Sequence, residues 1–337
     1  MRVVRTAIAA ASTAAFVYLA VKGVRVDSLR ESLRGVDYLP LGLGAAVSVG
    51  CLWLRAWRWR LILRPVKAVG IYELFAITSI GFMANNVLPL RLGEVAKAAA
   101  LTKRSRIGLS SALASVGVER LFDGIAIGLM SPVLLLVPGG SAWVARGALG
   151  LALGLAAAFA VALAGLAILL AYGRRSLEWR PIKRRLGGGL AQKLARLVSG
   201  FLHGLSVLRD AATVGRIVLA SVVLWLAHAA IYHLVLVSLG IELPVTAPVT
   251  ALIFTVVAAI LPSAPGALGT FEYFCILALA AFAVPKDQAL AYAVVLHASM
   301  WVPVTVLGLV YAWLMGSGLG GVRVDAAASA RVQAGVE

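Results

Sequence analysis

Apolar residues run through this chain in long blocks, at 6–22, 38–56, 109–137, 144–172, 213–240 and 289–315. A helix needs about 17–25 such residues to cross the ~30 Å hydrocarbon layer, so each block predicts a spanning helix. Two further apolar segments, 71–101 and 248–283, are interrupted at mid-length. The interruptions resemble each other. Leu88 and Pro89 precede Gly93 and Glu94 in the first, and Leu261 and Pro262 precede Gly269 and Glu272 in the second. The arms around each break hold ~13–18 residues, short of the ~20 needed to cross, which predicts two hairpins that enter and leave on one side. Broken backbone at membrane depth must be buried in protein or line a cavity. Paired breaks in two halves of a chain point to a central site between inverted repeats. The predicted fold is an all-α polytopic membrane protein with about six spanning helices plus two re-entrant broken-helix hairpins in an inverted repeat. Within a single membrane domain, 1–337, the first repeat covers 38–172 and the second 213–315. A basic cytoplasmic linker, 173–212, joins them, and 316–337 is expected to be a disordered C-terminal tail.

Composition supports this class, with 61% apolar and 13% charged residues among 337. The formal net charge of +17 reads as basic loops facing anionic inner-leaflet lipids rather than as a nucleic-acid surface. With the N-terminus inside, 24 of the 31 basic residues fall in inside segments and 6 in outside segments; Arg120 lies within a span. That asymmetry predicts a multi-pass protein of the cell inner (plasma) membrane with both termini cytoplasmic. Segments 24–36 and 284–288 then lie outside. The start, MRVVR before an apolar stretch, has the look of a signal peptide, but Leu19, Ala20 and Val21 before Lys22 offer no small-x-small cleavage site. Cys51 and Cys275, in opposite halves, read as buried small residues rather than a disulfide.

Two features suggest contact with the bilayer surface. Trp53, Trp57 and Trp59 alternate with Arg55, Arg58 and Arg60, a pattern of interfacial anchoring. In the linker, Leu190, Leu194, Leu197, Val198, Phe201, Leu205 and Leu208 recur at helical spacing, as in an amphipathic helix lying on the inner leaflet.

The candidate chemistry is charge inside apolar sequence. Glu119 and Asp123 are four apart on one helix face, with Arg120 beside them. A helix entering near residue 109 puts Glu119 ~15 Å deep, where a charge needs a partner or water. Arg120 can brace Glu94 or Glu272, or it can meet substrate. A helix beginning near Arg91 would aim free amides at a cavity and suit a phosphate or carboxylate. Asn85 and Asn86 supply uncharged hydrogen bonds. Ser263 lies in the second break and Glu272 in the arm after it. His228 and His233 are five apart and share no helix face; His297 stands alone in the last span. No histidine forms a metal-ligand pattern with cysteine or carboxylate, and no Walker A, Rossmann, GxSxG or HExxH motif occurs. No cofactor, no metal and no enzyme activity are therefore expected.

At NNVLPLRLGEVAKAAAL, KRSRIGLSSALASVGVERLFDG, LPSAPGALGTFEY and AYAVVLHASMWVPVTVLGLVYAW, the chain resembles the flippase-like membrane domain of lysylphosphatidylglycerol synthases. The resemblance runs from about Leu39 to Trp313. It departs at Ala264 and Ala267, around a Pro-Gly after which the family often has a second glycine. The tail after the last span is about 20 residues, so a stand-alone domain without the soluble aminoacyl-transferase portion is expected. The resemblance implies handling of lipid headgroups, in a family associated with aminoacylated phosphatidylglycerol, hopanoids and polyprenyl-linked sugars. The function expected is a lipid translocase moving a phospholipid, glycolipid or polyprenyl-linked headgroup through a central polar cavity. Asn85, Asn86, Arg91, Glu94, Glu119, Arg120, Asp123, Ser263 and Glu272 would line or brace the path. Two alternatives stay open: a membrane-embedded lipid transferase, and a non-transporting scaffold for a lipid-modifying enzyme partner.

Overall fold

The structure, a computed structural model, describes residues 2–88, 92–132, 200–259, 261 and 264–316, with isolated helical positions between 150 and 165. The described residues are helical and contain no strand. Ten α-helices are described in chain order: α1 Arg2–Val21, α2 Val26–Arg34, α3 Tyr38–Leu63, α4 Ile71–Val87 and α5 Gly93–Ser105 come first. They are followed by α6 Leu109–Met130, α7 Ala211–Ser238, α8 Thr246–Ala258, α9 Thr270–Ala280 and α10 Lys286–Leu314. Among the described residues, α3, α7 and α10, of 26, 28 and 29 residues, are long and apolar enough to cross a membrane. The other expected spans differ. The segment 6–22 lies in α1, whose last eleven residues form a short apolar helix by composition. α6 has 22 residues but carries Glu119, Arg120 and Asp123. The expected span 144–172 lies almost wholly outside the described residues, as do linker positions 173–199 and tail positions 317–337.

Both breaks are real interruptions. α4 stops at Val87 because Leu88 turns extended, at φ −89° and ψ 143°, the conformation favoured just before a proline such as Pro89. The chain resumes as α5, of 13 residues. In the second half α8 has 13 residues and α9 has 11. A 13-residue helix rises only ~20 Å, too little for the hydrocarbon layer. α9 begins at Gly269, whose φ of +80° suits glycine. Glu272 reaches back to accept the Gly269 N–H at 2.6 Å, which fixes that start.

Glycines set how closely the helices meet. A Cβ on Gly93 would lie 2.0 Å from the Gly81 carbonyl oxygen, so α5 presses backbone to backbone against α4. A Cβ on Gly308 would lie 2.3 Å from Met83 Cβ, bringing α10 equally close to α4. One apolar core, with Leu224, Tyr232, Leu252 and Leu296, draws mainly on α7–α10; another, with Trp59, Leu74, Leu101 and Phe122, draws on α3–α6. α3 packs along α7, and α4 along α10, which joins the two halves.

Segments expected on one side of the membrane meet. The Arg25 N–H donates to Asp287 at 3.2 Å and Lys286 donates to the Leu19 carbonyl at 2.8 Å. At the other end Lys67 donates to the Ser105 carbonyl at 2.8 Å. Of the expected surface helix, 190–199 lies outside the described residues. Leu205 is buried in the protein core with Ala112, Ala114 and Ile217, not free to face lipid. Gly204 makes this possible, since a Cβ there would lie 2.7 Å from Ala114 Cβ.

Candidate functional site

A cavity of about 590 Å³ opens where the two halves and the two breaks meet. Helices α3 to α10 all contribute to its wall, as do Leu88 of the first break and Leu261 and Ala264 to Ala267 of the second. Of the sequence-predicted residues, Asn85, Asn86, Glu94 and Arg120 line it. Glu119, Asp123 and Glu272 stand behind the wall, bound to other charged or titratable side chains. Arg91 and Ser263 lie outside the described residues.

The first break orders its own polar groups. Asn85 accepts the Gly93 N–H at 2.8 Å, which satisfies one free amide at the start of α5. Its amide nitrogen faces Glu94 at 3.5 Å. Asn86 donates to the Thr305 hydroxyl at 2.8 Å and so ties the break to α10. Arg120 contacts Glu94 and Asp123, each at 3.1 Å. Of the two expected carboxylate partners for Arg120, Glu94 is the one found; Glu272 is not.

Asp123 collects three guanidinium groups: Arg58 at 2.8 Å, Arg120 at 3.1 Å and Arg55 at 3.3 Å. This corrects the interfacial-anchor reading for Arg55, Arg58 and Trp59, while Trp53, Trp57 and Arg60 stay exposed on the other face of α3. α3 continues to Leu63 and carries Arg55, Arg58 and Trp59 into the protein, all buried. Arg55 also lies over the Phe82 ring at 5.0 Å and lines the cavity. Glu119, only 1% exposed, is paired with Lys97 instead. Lys97 sits 3.9 Å over the Trp59 ring, and Trp59 donates to Ser115 at 3.0 Å. Glu119 and Asp123 thus share a helix but not a partner. Arg55, Arg58 and Lys97 leave the inside tally of basic residues, which falls from 24 to 21 against 6, so the asymmetry persists.

Across the cavity Glu272 uses both oxygens. One accepts the Gly269 amide and the other meets His297 Nδ1 at 2.6 Å. His297 lines the cavity and lies 4.4 Å from the Phe271 ring, centroid to centroid. His228 also lines the cavity, its Nδ1 2.7 Å from the Leu224 carbonyl. Ser48, Trp225, Tyr232, Thr255 and Trp301 add to the polar part of the lining; sequence reasoning missed them, because single residues in apolar helices carry no motif. Among the described residues no group of His, Cys, Asp and Glu is arranged to hold a metal. Cys51 and Cys275 are free and buried, as expected.

Apolar helices closed around a charged, partly polar interior, interrupted at two breaks, define a multi-pass membrane protein with an internal site. The chain belongs to the family described as the lysylphosphatidylglycerol synthase TM region, whose model matches residues 2–308. It is 26% identical over 297 residues to a UPF0104 membrane protein of Methanothermobacter thermautotrophicus, covering 82% of this chain and 83% of that protein. It is 29% identical over 287 residues to the glycosyltransferase AglD of Haloferax volcanii, covering 75% of this chain and 45% of that protein. The chain thus spans less than half the length of that second relative.

Proposed function

We propose that this protein is a lipid translocase of the plasma membrane: a lipid headgroup passes through the central cavity while its acyl chains stay in the bilayer. The observation that carries the reading is the cavity, which brings residues of both breaks together with Arg55, Glu94 and Arg120 inside apolar sequence. Charges at this depth are costly and need a use. The two short-armed helix pairs, α4–α5 and α8–α9, support an inverted repeat in which the arms hinge about the cavity. The remaining 21-to-6 asymmetry of basic residues supports cytoplasmic termini. With no nucleotide motif in the sequence, movement would run down a gradient or be coupled to protons. The name of the second relative is compatible with a lipid-linked sugar as cargo. The match covers 45% of that protein, so a transferase step need not belong to the shared part.

The reading is tested by plugging the cavity. In a background with Cys51 and Cys275 replaced by alanine, Asn86→Cys should react with a bulky maleimide, and lipid exchange between leaflets of proteoliposomes should then stop. Continued exchange after complete labelling would reject the cavity as the path. The scaffold alternative makes the opposite forecast: cavity charges are dispensable and the basic linker is essential.

A further inference from the structure

Of the charged pairs at the cavity, one is built to exchange a proton with water near neutrality. Arg55 and Arg120 are held by Asp123 and Glu94, and a guanidinium keeps its proton in a protein. Lys97 and Glu119 are sealed away from the cavity. His297 lines the cavity and meets Glu272 through Nδ1 at 2.6 Å, and an imidazole gains and loses its proton near neutral pH. Its side chain keeps 12% of its surface accessible. Among the described residues no group bonds to its second nitrogen, Nε2. His228 also lines the cavity but differs. Its Nδ1 meets a backbone carbonyl, and its ring lies 5.3 Å from Trp225, which itself sits 5.9 Å under Arg55. Among the described residues His228 has no carboxylate to balance a proton.

The carboxylate fixes the ring. Glu272 can only accept, so the neutral imidazole carries its proton on Nδ1 and leaves Nε2 as a bare acceptor. The surroundings add no competing charge on that side. α9 brings the buried Cys275 close to Glu272. α7 brings His228 and Tyr232 to the cavity, and α3 brings Cys51 and Arg55. Glu94 and Arg120 face it from α5 and α6. Among the described residues α1, α2, α4 and α8 place no titratable side chain in the wall. A proton from cavity water bonds to Nε2, and the Nδ1 proton crosses the short contact to Glu272 Oε1. The ring ends neutral with its proton on Nε2, the carboxyl ends neutral, and the pair has lost its one negative charge.

The same carboxyl holds the second break. Its other oxygen accepts the Gly269 N–H at 2.6 Å and fixes the start of α9. A hydrogen bond to an ionised group is roughly twice as strong as one between neutral groups, so the arriving proton weakens this cap. We infer that His297 and Glu272 form a proton-binding site loaded from the cavity, and that the proton loosens the second break by weakening the hold on Gly269. The inference deepens the translocase reading and rests on it for its purpose: this pair is where a proton gradient acts on the moving arm.

The test uses the purified full chain in non-ionic detergent. The chain has four histidines, so selective nitrogen-15 labelling gives four ring spectra. His297 is assigned by its loss in His297→Gln, or by elimination through His203→Gln, His228→Gln and His233→Gln. Between about pH 9 and about pH 5, Nε2 of His297 should pass from bare to protonated. A spin label on Leu268→Cys, an exposed position next to Gly269, should gain mobility over the same range in a background with Cys51 and Cys275 replaced by alanine. Glu272→Gln, neutral at every pH, should hold the label mobile throughout. An Nε2 already protonated at the alkaline end, an Nε2 still bare at the acid end, or a label that ignores pH in the wild-type background would overturn the inference. In proteoliposomes of phosphatidylethanolamine and phosphatidylglycerol, an imposed pH difference should skew lipid between leaflets, and reversing the difference should reverse the skew. His297→Gln should lose the skew; a skew kept in full would overturn the inference. Titration and loosening without any protein-dependent lipid exchange would uphold the proton site and bring down the translocase reading alone.

Discussion

Glu94, one residue into the helix that follows the first break, lies 3.1 Å from Arg120 in the middle of α6. The pair binds the break to a neighbouring helix, and Arg120 keeps 40% of its side chain accessible while lining the cavity. Lys97 and Glu119 make a second bridge between the same helices, α5 and α6, but with both side chains almost wholly buried. The two pairs should respond differently to mutation. One faces the cavity and is free to exchange its partner for a ligand. The other is sealed.

Removing one partner of the sealed pair strands a buried charge. Lys97→Met should destabilise the protein by about 3–5 kcal/mol, and Lys97→Met with Glu119→Leu should recover most of that loss. Arg120→Ala should cost less, about 1–2 kcal/mol, since its side chain is partly accessible and Asp123 retains Arg55 and Arg58. Thermal unfolding in detergent ranks the three variants. A double variant as unstable as Lys97→Met would show that Glu119 and Lys97 do not act as a pair.

The helix contact at the first break depends on glycine. Gly93→Ala would drive a methyl to 2.0 Å from the Gly81 oxygen and 2.5 Å from Asn85 Oδ1. A loss of at least about 3 kcal/mol is expected, since the obstacle is backbone. Gly117, in α6, has nothing within 4 Å of its would-be Cβ. Gly117→Ala should be neutral or stabilising by up to about 1 kcal/mol. Equal melting temperatures for the two alanine variants would contradict the close approach of α4 and α5.

At the second break an alanine holds a backbone conformation that suits glycine. Ala267 takes a φ of +59°, a region where a Cβ costs roughly 1–2 kcal/mol. Ala267→Gly should relieve part of that strain and raise stability by about 0.5–1 kcal/mol, net of the flexibility glycine adds to the unfolded chain. A lowered melting temperature would show that the methyl group packs to advantage.

Sidedness is open to thiol labelling. Asp27 and Arg104 are both exposed and lie in segments assigned to opposite faces. In intact cells a membrane-impermeant maleimide should modify Asp27→Cys and leave Arg104→Cys unmodified until the membrane is opened. The reverse pattern would invert the topology.

Much of the plan was legible in the sequence. The length of the apolar blocks announced a membrane protein, and Pro89 and Gly93, with Pro262 and Gly269, announced the breaks, because those residues act on the backbone locally. The carboxylates announced themselves by being charged where charge is costly. Their partners did not. Arg55 and Arg58 carry the same Trp-Arg alternation an interfacial belt would carry. Only the continuation of α3 to Leu63, and its packing on α7, shows that they point inward to Asp123. Lys97 was counted among the loop cations for the same reason. His297 stands alone in the last span, and its tie to Glu272 depends on α9 and α10 packing side by side, which no local pattern encodes.

The central claim is that the cavity between the two breaks carries a lipid headgroup. Glu94→Gln and Glu272→Gln keep side-chain shape and much of the hydrogen bonding while removing charge from Glu94 in the wall and from Glu272 behind it. In proteoliposomes, with lipid in each leaflet read separately, the wild-type protein should exchange lipid between leaflets. Each glutamine variant should be slowed by about tenfold or more, the worth of one charge-assisted interaction, with folding retained. Wild-type rates in both variants, or no protein-dependent exchange at all, would contradict the account.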